Sequence, residues 1–188
     1  STCDYGENST AQGITLPHKA ALIIRTLCDG DKDVKVAFCA NRATFSREDW
    51  TLTTRLPEGR FPNYNSVIPK SFNYVIEADK GEFVAALKRV LPFGNAMSNL
   101  VVVEIEKGSI RMLARDYDLA TSAESMLPCA YDGDLLRFGF NGTFLLQVVS
   151  KLQGTKLLFH AISPDRAALF SCAEDALTKT ILMPMKVE

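Results

Sequence analysis

The same order of secondary-structure signals occurs three times along this chain of 188 residues. Each copy shows a short β-prone run, an amphipathic helix and three further β-prone runs. The first core residues of the three helices are Ala20, Phe83 and Leu145, which lie 63 and 62 residues apart. A period of ~60 residues with a constant order of elements indicates duplicated modules. Each module is predicted to be an antiparallel sheet with one helix on a single face, which gives an α+β fold of repeated β-α-β-β-β modules.

The first module is predicted to contain a strand at Gly13 to Leu16 and a helix capped by Thr15. The helix is expected to bury the face formed by Ala20, Ile23, Ile24 and Leu27, which follow the i, i+3, i+4, i+7 spacing. Three strands are predicted next, at Val34 to Ala40, Arg42 to Ser46 and Trp50 to Leu56.

The second module is predicted to begin with a strand at Phe72 to Ala78, followed by a helix that Asp79 and Glu82 start as a capping box. Its buried face is expected at Phe83, Ala86, Leu87 and Val90, and its strands at Leu100 to Glu106, Ser109 to Ala114 and Leu119 to Met126. The third module is predicted to begin with a strand at Leu135 to Phe140 and a helix capped by Asn141. Its buried face is expected at Leu145, Val148, Val149 and Leu152, and its strands at Thr155 to Ile162, Arg166 to Cys172 and Leu177 to Met185.

A connector from Leu56 to Pro69 separates the first module from the other two. Its three prolines and one glycine prevent a long helix or paired strand, while its apolar side chains favour contact with a surface. Modules two and three are expected to pair into one domain, residues 70–188, whereas residues 1–69 form an incomplete domain with the connector. Because the first module has no partner and the polar N-terminus lacks an initiator Met, we expect a piece of a longer chain.

Composition limits the function classes. Apolar residues make up 47% of the chain and the net charge is −1, which indicates a globular protein and gives no overall sign of a nucleic-acid binder. Five widely spaced cysteines without a Cys-x-x-Cys motif, together with two histidines, make a zinc site or a disulfide framework improbable. The cysteines are interpreted as reduced thiols of a cytoplasmic protein.

Each helix carries a cation on the side that points away from its sheet: Arg25 in the first, Lys88 and Arg89 in the second, and Lys151 in the third. The acidic residues concentrate in the turns instead. Basic helix faces of this kind can meet a phosphate backbone without reading bases. An ordinary solvated helix surface is the alternative, and the residues alone favour it because three helices offer few cations.

Three segments carry a resemblance to a known family. The connector pattern Glu58-Gly59-Arg60-Phe61-Pro62-x-Tyr64-x-x-Val67-x-Pro69 resembles the stretch that joins the second and third domains of the bacterial DNA polymerase III beta subunit, the sliding clamp. The ending Ile181 to Val187 is similar to that family's C-terminus, and Gly139-Phe140-Asn141 before an amphipathic helix matches a third landmark. The match extends from about Gly13 and covers the later half of the family's second domain and all of its third.

This resemblance implies a DNA-clamp fold and a non-catalytic processivity factor without cofactor or metal. In the family, two chains close into a ring around duplex DNA without sequence readout, so Arg25, Lys88, Arg89 and Lys151 would face DNA. Pro92 and Phe93 match part of the surface that meets the next protomer. The implied partners are double-stranded DNA, the polymerase III alpha subunit, the clamp loader and repair polymerases, and a second clamp chain in a homodimeric ring.

The family also captures short linear motifs of its partners in a surface groove. By matching position, the groove would include Pro62, Val67, Asn141, Phe144, Ile181, Leu182, Met183, Pro184, Met185 and Lys186. The residues alone favour an ordinary edge strand at this C-terminus, which Pro184 protects from further pairing. The family's Thr-Asp-Gly-His-Arg-Leu segment, another wall of the groove, would precede Ser1, and the positions of Ser66 and Ser98 also depart from the family pattern.

Enzymatic interpretations find little support in the residues. The sequence has no phosphate-binding glycine loop, and His18 and His160 are far apart. The pairs Asp116/Asp118 and Asp132/Asp134 lie between predicted strands, where aspartate is typical of turns. Three hypotheses remain: a DNA sliding clamp fragment, which we favour, a peptide-binding β module without a DNA role, and a hydrolase whose site the sequence does not reveal.

Overall fold

The computed structural model describes residues 14–28, 32–39, 41–59, 63, 66–69 and 71–187. The chain divides into two compact units, one up to Asn63 and one from residue 64 onward. The assignment of residues 1–69 and 70–188 to a middle and a C-terminal clamp domain stays a prediction. None of the helices in the described ranges is long and apolar enough to cross a membrane.

The described part of the first unit has one helix and a three-stranded antiparallel meander. The helix α1 spans His18–Leu27, and the strands are β1 (Lys35–Cys39), β2 (Arg42–Ser46) and β3 (Thr51–Arg55). The predicted order of helix and meander is confirmed, and each strand lies within one residue of its predicted bounds. β2 lies in the centre and buries Ala43 and Phe45 on one face.

Four expectations for this unit are wrong. Residues 14–17 form no strand, and α1 has Pro17 at its N-cap without a capping side chain, so Thr15 is not the cap. Of the predicted apolar face of α1 only Ala20 is buried, because the meander alone does not cover the side chains beyond the first turn. Cys39 is disulfide-bonded and not a reduced thiol, whereas Cys28, Cys129 and Cys172 are free.

In its described residues, 66–69 and 71–187, the second unit has two α-helices and eight strands in the predicted order. The second module gives β4 (Tyr74–Asp79), α2 (Lys80–Val90), a 3₁₀ turn (Leu91–Phe93), β5 (Leu100–Glu106), β6 (Ser109–Asp116) and β7 (Thr121–Pro128). The third gives β8 (Leu136–Asn141), α3 (Gly142–Lys151), β9 (Lys156–Ala161), β10 (Ala168–Cys172) and β11 (Asp175–Leu182).

The two modules exchange their first strands. One sheet has the order β11-β10-β9-β4 and the other has the order β7-β6-β5-β8. Strand β4 of the second module therefore pairs with β9 of the third, in a register that places Ile76 opposite Phe159. Strand β8 of the third module pairs with β5 of the second, with Val101 opposite Phe140. Because each sheet needs both modules, the second unit folds around one shared core.

The aromatic residues of this core come from both sheets. The rings of Phe159 and Phe170 stack with centroids 4.7 Å apart, and Phe138 of the other sheet lies 5.0 Å from Phe159. The predicted face of α2 is fully buried. Of the face predicted for the third helix, Leu145, Val149 and Leu152 are buried, whereas Val148 is half-buried. Each of these packed rings removes a large apolar area from water and so stabilises the unit.

The two helix caps predicted for the second unit, Asp79 and Asn141, are confirmed. The Asp79 carboxylate accepts a hydrogen bond from the Glu82 backbone nitrogen at 2.8 Å, and the Asn141 side-chain oxygen accepts one from the Phe144 nitrogen at 3.1 Å. Each bond satisfies a backbone donor that the first helical turn leaves without an intrahelical partner. The two helices therefore begin where the sequence predicts.

Candidate functional site

The last residues of the chain connect the two sheets of the second unit. Strand β11, an edge of the first sheet, ends at Leu182 and does not continue to Met185 as the sequence predicted. Residues 183–187, here called the C-terminal segment, run on to β8, an edge of the other sheet. The Met185 nitrogen donates a hydrogen bond to the Gly139 carbonyl at 2.7 Å. β11 is therefore shorter than the predicted strand, because the chain leaves the first sheet after Leu182 and Met185 pairs with the other sheet.

Glycine at position 139 makes this crossing feasible. A Cβ atom there would lie 2.6 Å from the Val187 side chain and 2.7 Å from the Met185 carbonyl oxygen. Both distances are well below an ordinary van der Waals contact. The absence of a side chain at Gly139 thus lets the C-terminal segment lie directly on β8.

The crossing brings the C-terminal segment close to the start of α3, because Gly139 precedes the capping residue Asn141 by two positions. α3 also contacts β11. Around this junction, Phe144 and Met183 expose 55% and 59% of their surface. An exposed aromatic ring and an exposed thioether at one junction offer an adaptable apolar surface to a partner.

The remaining predicted groove residues have different environments. Ile181, Leu182, Pro184 and Met185 are half-buried, and Lys186 is exposed. Val67 is exposed in the short turn that precedes Pro69. Pro62 lies outside the described residues. The structure therefore gathers the members from β8, α3 and the C-terminal segment, while Val67 belongs to a separate segment.

The predicted basic positions are all exposed. Arg25 lies in the last turn of α1, in the first unit. Lys88 and Arg89 lie in the last turn of α2, and Lys151 in that of α3, and these two helices contact each other. The Arg89 Nε donates to the Ser125 hydroxyl at 3.1 Å, which holds its guanidinium against β7. Cations in last turns also interact favourably with the helix dipole, so their position has a structural reason as well.

Pro92 and Phe93 lie in the 3₁₀ turn after α2, and both are exposed. The Phe93 carbonyl accepts a hydrogen bond from the Thr121 hydroxyl at 3.3 Å, which joins this turn to β7. β7 is the outer strand of its sheet. The predicted interface residues are therefore adjacent to a sheet edge.

The structure gives little support to a hydrolytic site. The His160 Nε2 lies 3.3 Å from the Ser171 hydroxyl, in the partly buried face of β9 and β10. Burial lowers the pKa of His160, and the nearby cation Lys179 lowers it further, so the charged neighbour is not the carboxylate that a Ser-His-Asp triad needs. Among the described residues no group of three or more His, Cys, Asp or Glu side chains could hold a metal ion.

Two features were missed by sequence reasoning. The first is the role of Gly139, which was read only as part of a motif, although a glycine inside a strand signals a close backbone approach. The second is an ion-pair network on the outer face of the β7-β6-β5-β8 sheet, where Arg111 lies between Glu104 and Glu124. The sequence signal for this network is the presence of charged residues at alternate positions of neighbouring strands, which place opposite charges side by side on one face of the sheet.

Comparisons with known proteins agree with this geometry. The family model described as "DNA polymerase III beta subunit, C-terminal domain" matches residues 65–186, which is more than half of the chain. The beta sliding clamp of Caulobacter vibrioides is 27% identical over 176 residues, which cover 93% of this chain and 47% of the relative. That of Escherichia coli is 23% identical over 183 residues, covering 97% and 50% respectively. The chain spans about half the length of the curated relatives it matches.

Solved structures show the same similarity. A DnaN sliding clamp from Bartonella birtlesii bound to griselimycin has a TM-score of 0.84 and 28% identity, covering 94% of this chain and 48% of that chain. The beta subunit from Pseudomonas aeruginosa has a TM-score of 0.83 at 23% identity, with coverage of 93% and 48%, and shows the fold alone. The predicted clamp fold is confirmed by these similarities. With its match over residues 65–186, the chain belongs to the family of the DNA polymerase III beta subunit.

Proposed function

We propose that this chain is the C-terminal portion of a bacterial DNA sliding clamp, which works as part of a ring around duplex DNA. Its task is to tether polymerases and other replication and repair proteins through a peptide-binding groove. It acts without catalysis, in the cytoplasm with the chromosome. Family membership and the similarity to solved clamps carry the proposal.

The exposed cations of the helices support the DNA-facing part of this proposal. Lys88, Arg89 and Lys151 project from two helices that contact each other, and Arg25 projects from α1. Exposed cations of this kind attract the phosphate backbone without selecting a sequence, as a sliding ring requires. Pro92 and Phe93, beside a sheet edge, would meet the next protomer of a homodimeric ring.

The groove is proposed at the junction of β8, α3 and the C-terminal segment. Met183 and Phe144 would form its apolar surface, with Ile181, Leu182, Pro184, Met185 and Lys186 from the strand end, Asn141 from the helix cap, and Pro62 and Val67 from the connector. A methionine side chain adapts to varied apolar partners, which suits binding by polymerase III alpha, the clamp loader and repair polymerases. The exposure of Met183 and Phe144 is the observation that supports this site most directly.

A peptide titration tests the groove. Fluorescence anisotropy of a labelled Gln-Leu-x-Leu-Phe peptide is measured against the chain, against Met183→Ala and against Met126→Ala. Met126 is a matched control, since it is 56% exposed on β7 and lies outside the groove. We expect Met183→Ala to weaken binding about tenfold, the loss typical of an interface anchor, and Met126→Ala to have no effect. Equal affinities of all three proteins would refute the groove.

A peptide-binding β module without a DNA role is the alternative function. The two functions differ in whether activity requires the basic residues of the helices, because only a sliding clamp needs them for DNA. Replacing Lys88, Arg89 and Lys151 by Glu in the full-length ring should impair loading onto DNA, with a steep salt dependence in the parent ring. It should leave peptide affinity unchanged. Unimpaired loading of the triple variant would favour the alternative.

A further inference from the structure

The outer face of the β7-β6-β5-β8 sheet carries a cavity of about 420 Å³. The C-terminal segment forms one side of it through Lys186 and Val187. Its apolar floor comes from Leu100, Val102 and Leu113, whose neighbours in β5 and β6 point into the core. The volume falls within the range of small-ligand and peptide side-chain pockets, ~300–1,000 Å³. This outer-face cavity therefore lies on the side of the sheet opposite its core.

Glu104, the one carboxylate among the described residues of the lining, is neutralised by its neighbours. Glu104 lies between two arginines, with Arg137 Nε at 3.2 Å and Arg111 Nη1 at 3.5 Å from its oxygens. Arg111 also pairs with Glu124 at 2.6 Å, and this hydrogen bond is the main reason that its pKa is raised. These pairs fix the guanidinium groups of β6 and β8 around the apolar floor.

Two further cations of the lining have no such partner. Arg115 and Lys186 are exposed, and neither forms an ion pair within residues 71–187. Within residues 71–187 the lining thus holds four cations and one carboxylate, and the excess positive charge of this part belongs to Arg115 and Lys186. An apolar floor flanked by uncompensated cations complements a ligand that is both apolar and anionic.

We propose that the outer-face cavity binds a short acidic peptide segment in which an aliphatic residue is flanked by carboxylates. The aliphatic side chain fills the space over Leu100, Val102 and Leu113, and the carboxylates pair with Arg115 and Lys186. A nucleic-acid backbone supplies the negative charge but no aliphatic group for this floor, so a peptide is the better match. The site lies on the opposite sheet face from α2 and α3 and shares Lys186, but neither Met183 nor Phe144, with the proposed groove.

The test uses a fluorescein-labelled Gly-Asp-Leu-Asp-Gly amide and its Asn-containing neutral counterpart, titrated with the full chain. We expect saturable binding of the acidic peptide that weakens as salt is added, and much weaker binding of the neutral one. Arg115→Glu should reduce affinity at least tenfold through loss of a charge-assisted contact. Val102→Phe, which fills the cavity without changing charge, should reduce it as well.

Two controls separate this site from other surfaces. Arg166→Glu removes an exposed cation outside the cavity and should leave affinity unchanged. Met183→Ala alters the proposed groove and should also leave it unchanged, so failure of the groove and failure of this site are distinguishable. Binding that survives Arg115→Glu and Val102→Phe, or that Met183→Ala abolishes, would overturn the proposal. So would displacement of the peptide by duplex DNA but not by excess unlabelled peptide.

Discussion

The substitution Gly139→Ala provides a sharp test of how the C-terminal segment is held. The added methyl group would enter a space bounded by the Val187 side chain at 2.6 Å and the Met185 carbonyl oxygen at 2.7 Å. The backbone of Gly139 does not have the positive φ that alanine avoids, so the change is opposed by these two neighbours and by the Leu100 side chain, whose Cδ1 would lie 3.1 Å from the new Cβ. Alanine at position 139 must therefore either displace the C-terminal segment from β8 or strain the segment and β8 together.

The cost can be estimated from the two interactions affected. Overpacking by one methyl group costs about 1–3 kcal/mol. Loss of the 2.7 Å hydrogen bond from Met185 to Gly139 costs about 1 kcal/mol net. A single backbone bridge joins the described segment to β8, so the segment can separate without opening either sheet. The hydrogen bond opposes detachment in the parent and the variant alike, so only the overpacking changes the balance. We therefore expect about 1–3 kcal/mol against the attached state, about a 5- to 150-fold fall in the equilibrium constant for attachment relative to the parent.

Peptide binding and unfolding together reveal the outcome. Affinity for a Gln-Leu-x-Leu-Phe peptide should fall at least tenfold, because the groove residues of the segment are displaced. The denaturation midpoint should fall only modestly, since the shared core of both sheets remains. Gly94→Ala is the matched control, because its Cβ would meet neighbours at the ordinary distances of 3.5–3.6 Å. An unchanged peptide affinity of Gly139→Ala would refute the argument that the segment must lie on β8.

Two further predictions concern the start of α3 and the start of β9. Asn141→Ala should lower the free energy of unfolding by about 1 kcal/mol, because the Phe144 nitrogen loses its cap. Asn141→Asp, which keeps a capping oxygen, should retain most of the stability of the parent. Chemical denaturation of the three proteins checks this, and equal losses in both variants would contradict the capping role. Hydrogen bonds from Thr155 lower the pKa of Glu174 from 4.5 to about 2. The charged form therefore stabilises the fold above about pH 4.5, and this contribution is lost as pH falls toward 2. The difference in denaturation midpoint between the parent and Glu174→Gln should shrink over that pH range. A difference that stays constant with pH would contradict a stabilising role of the Glu174 carboxylate.

Local features of this chain were predictable because their physics is local. The caps at Asp79 and Asn141 depend on a side chain and a backbone nitrogen three residues on. The buried face of α2, Phe83 to Val90, follows from helical periodicity alone, and the structure buries all four predicted residues. In α1 the same periodicity misleads, since burial also requires a surface that covers the helix, and only Ala20 finds one.

The features that depend on pairing between residues far apart in the chain were harder to predict from the sequence. The apolar run from Leu177 to Met185 looks like one strand, because alternation does not reveal which sheet each residue joins. Its change of sheet after Leu182 depends on Gly139, more than 40 residues earlier in the chain. The outer-face cavity arises from the same crossing, since Lys186 and Val187 reach it only from β8. A single-sequence pattern cannot contain this information.

The exchange of first strands explains why the proposed groove lies where it does. β8 pairs with the strands of the second module, whereas β11 pairs with those of the third, and α3 contacts both strands. The two sheets therefore come together at the start of α3, just after Gly139. The C-terminal segment closes this junction by pairing with β8. It presents Met183 beside α3 and Lys186 toward the outer-face cavity. Displacing the segment should therefore weaken peptide binding at the groove and at the cavity together, which the Gly139→Ala protein allows to be measured with both peptides.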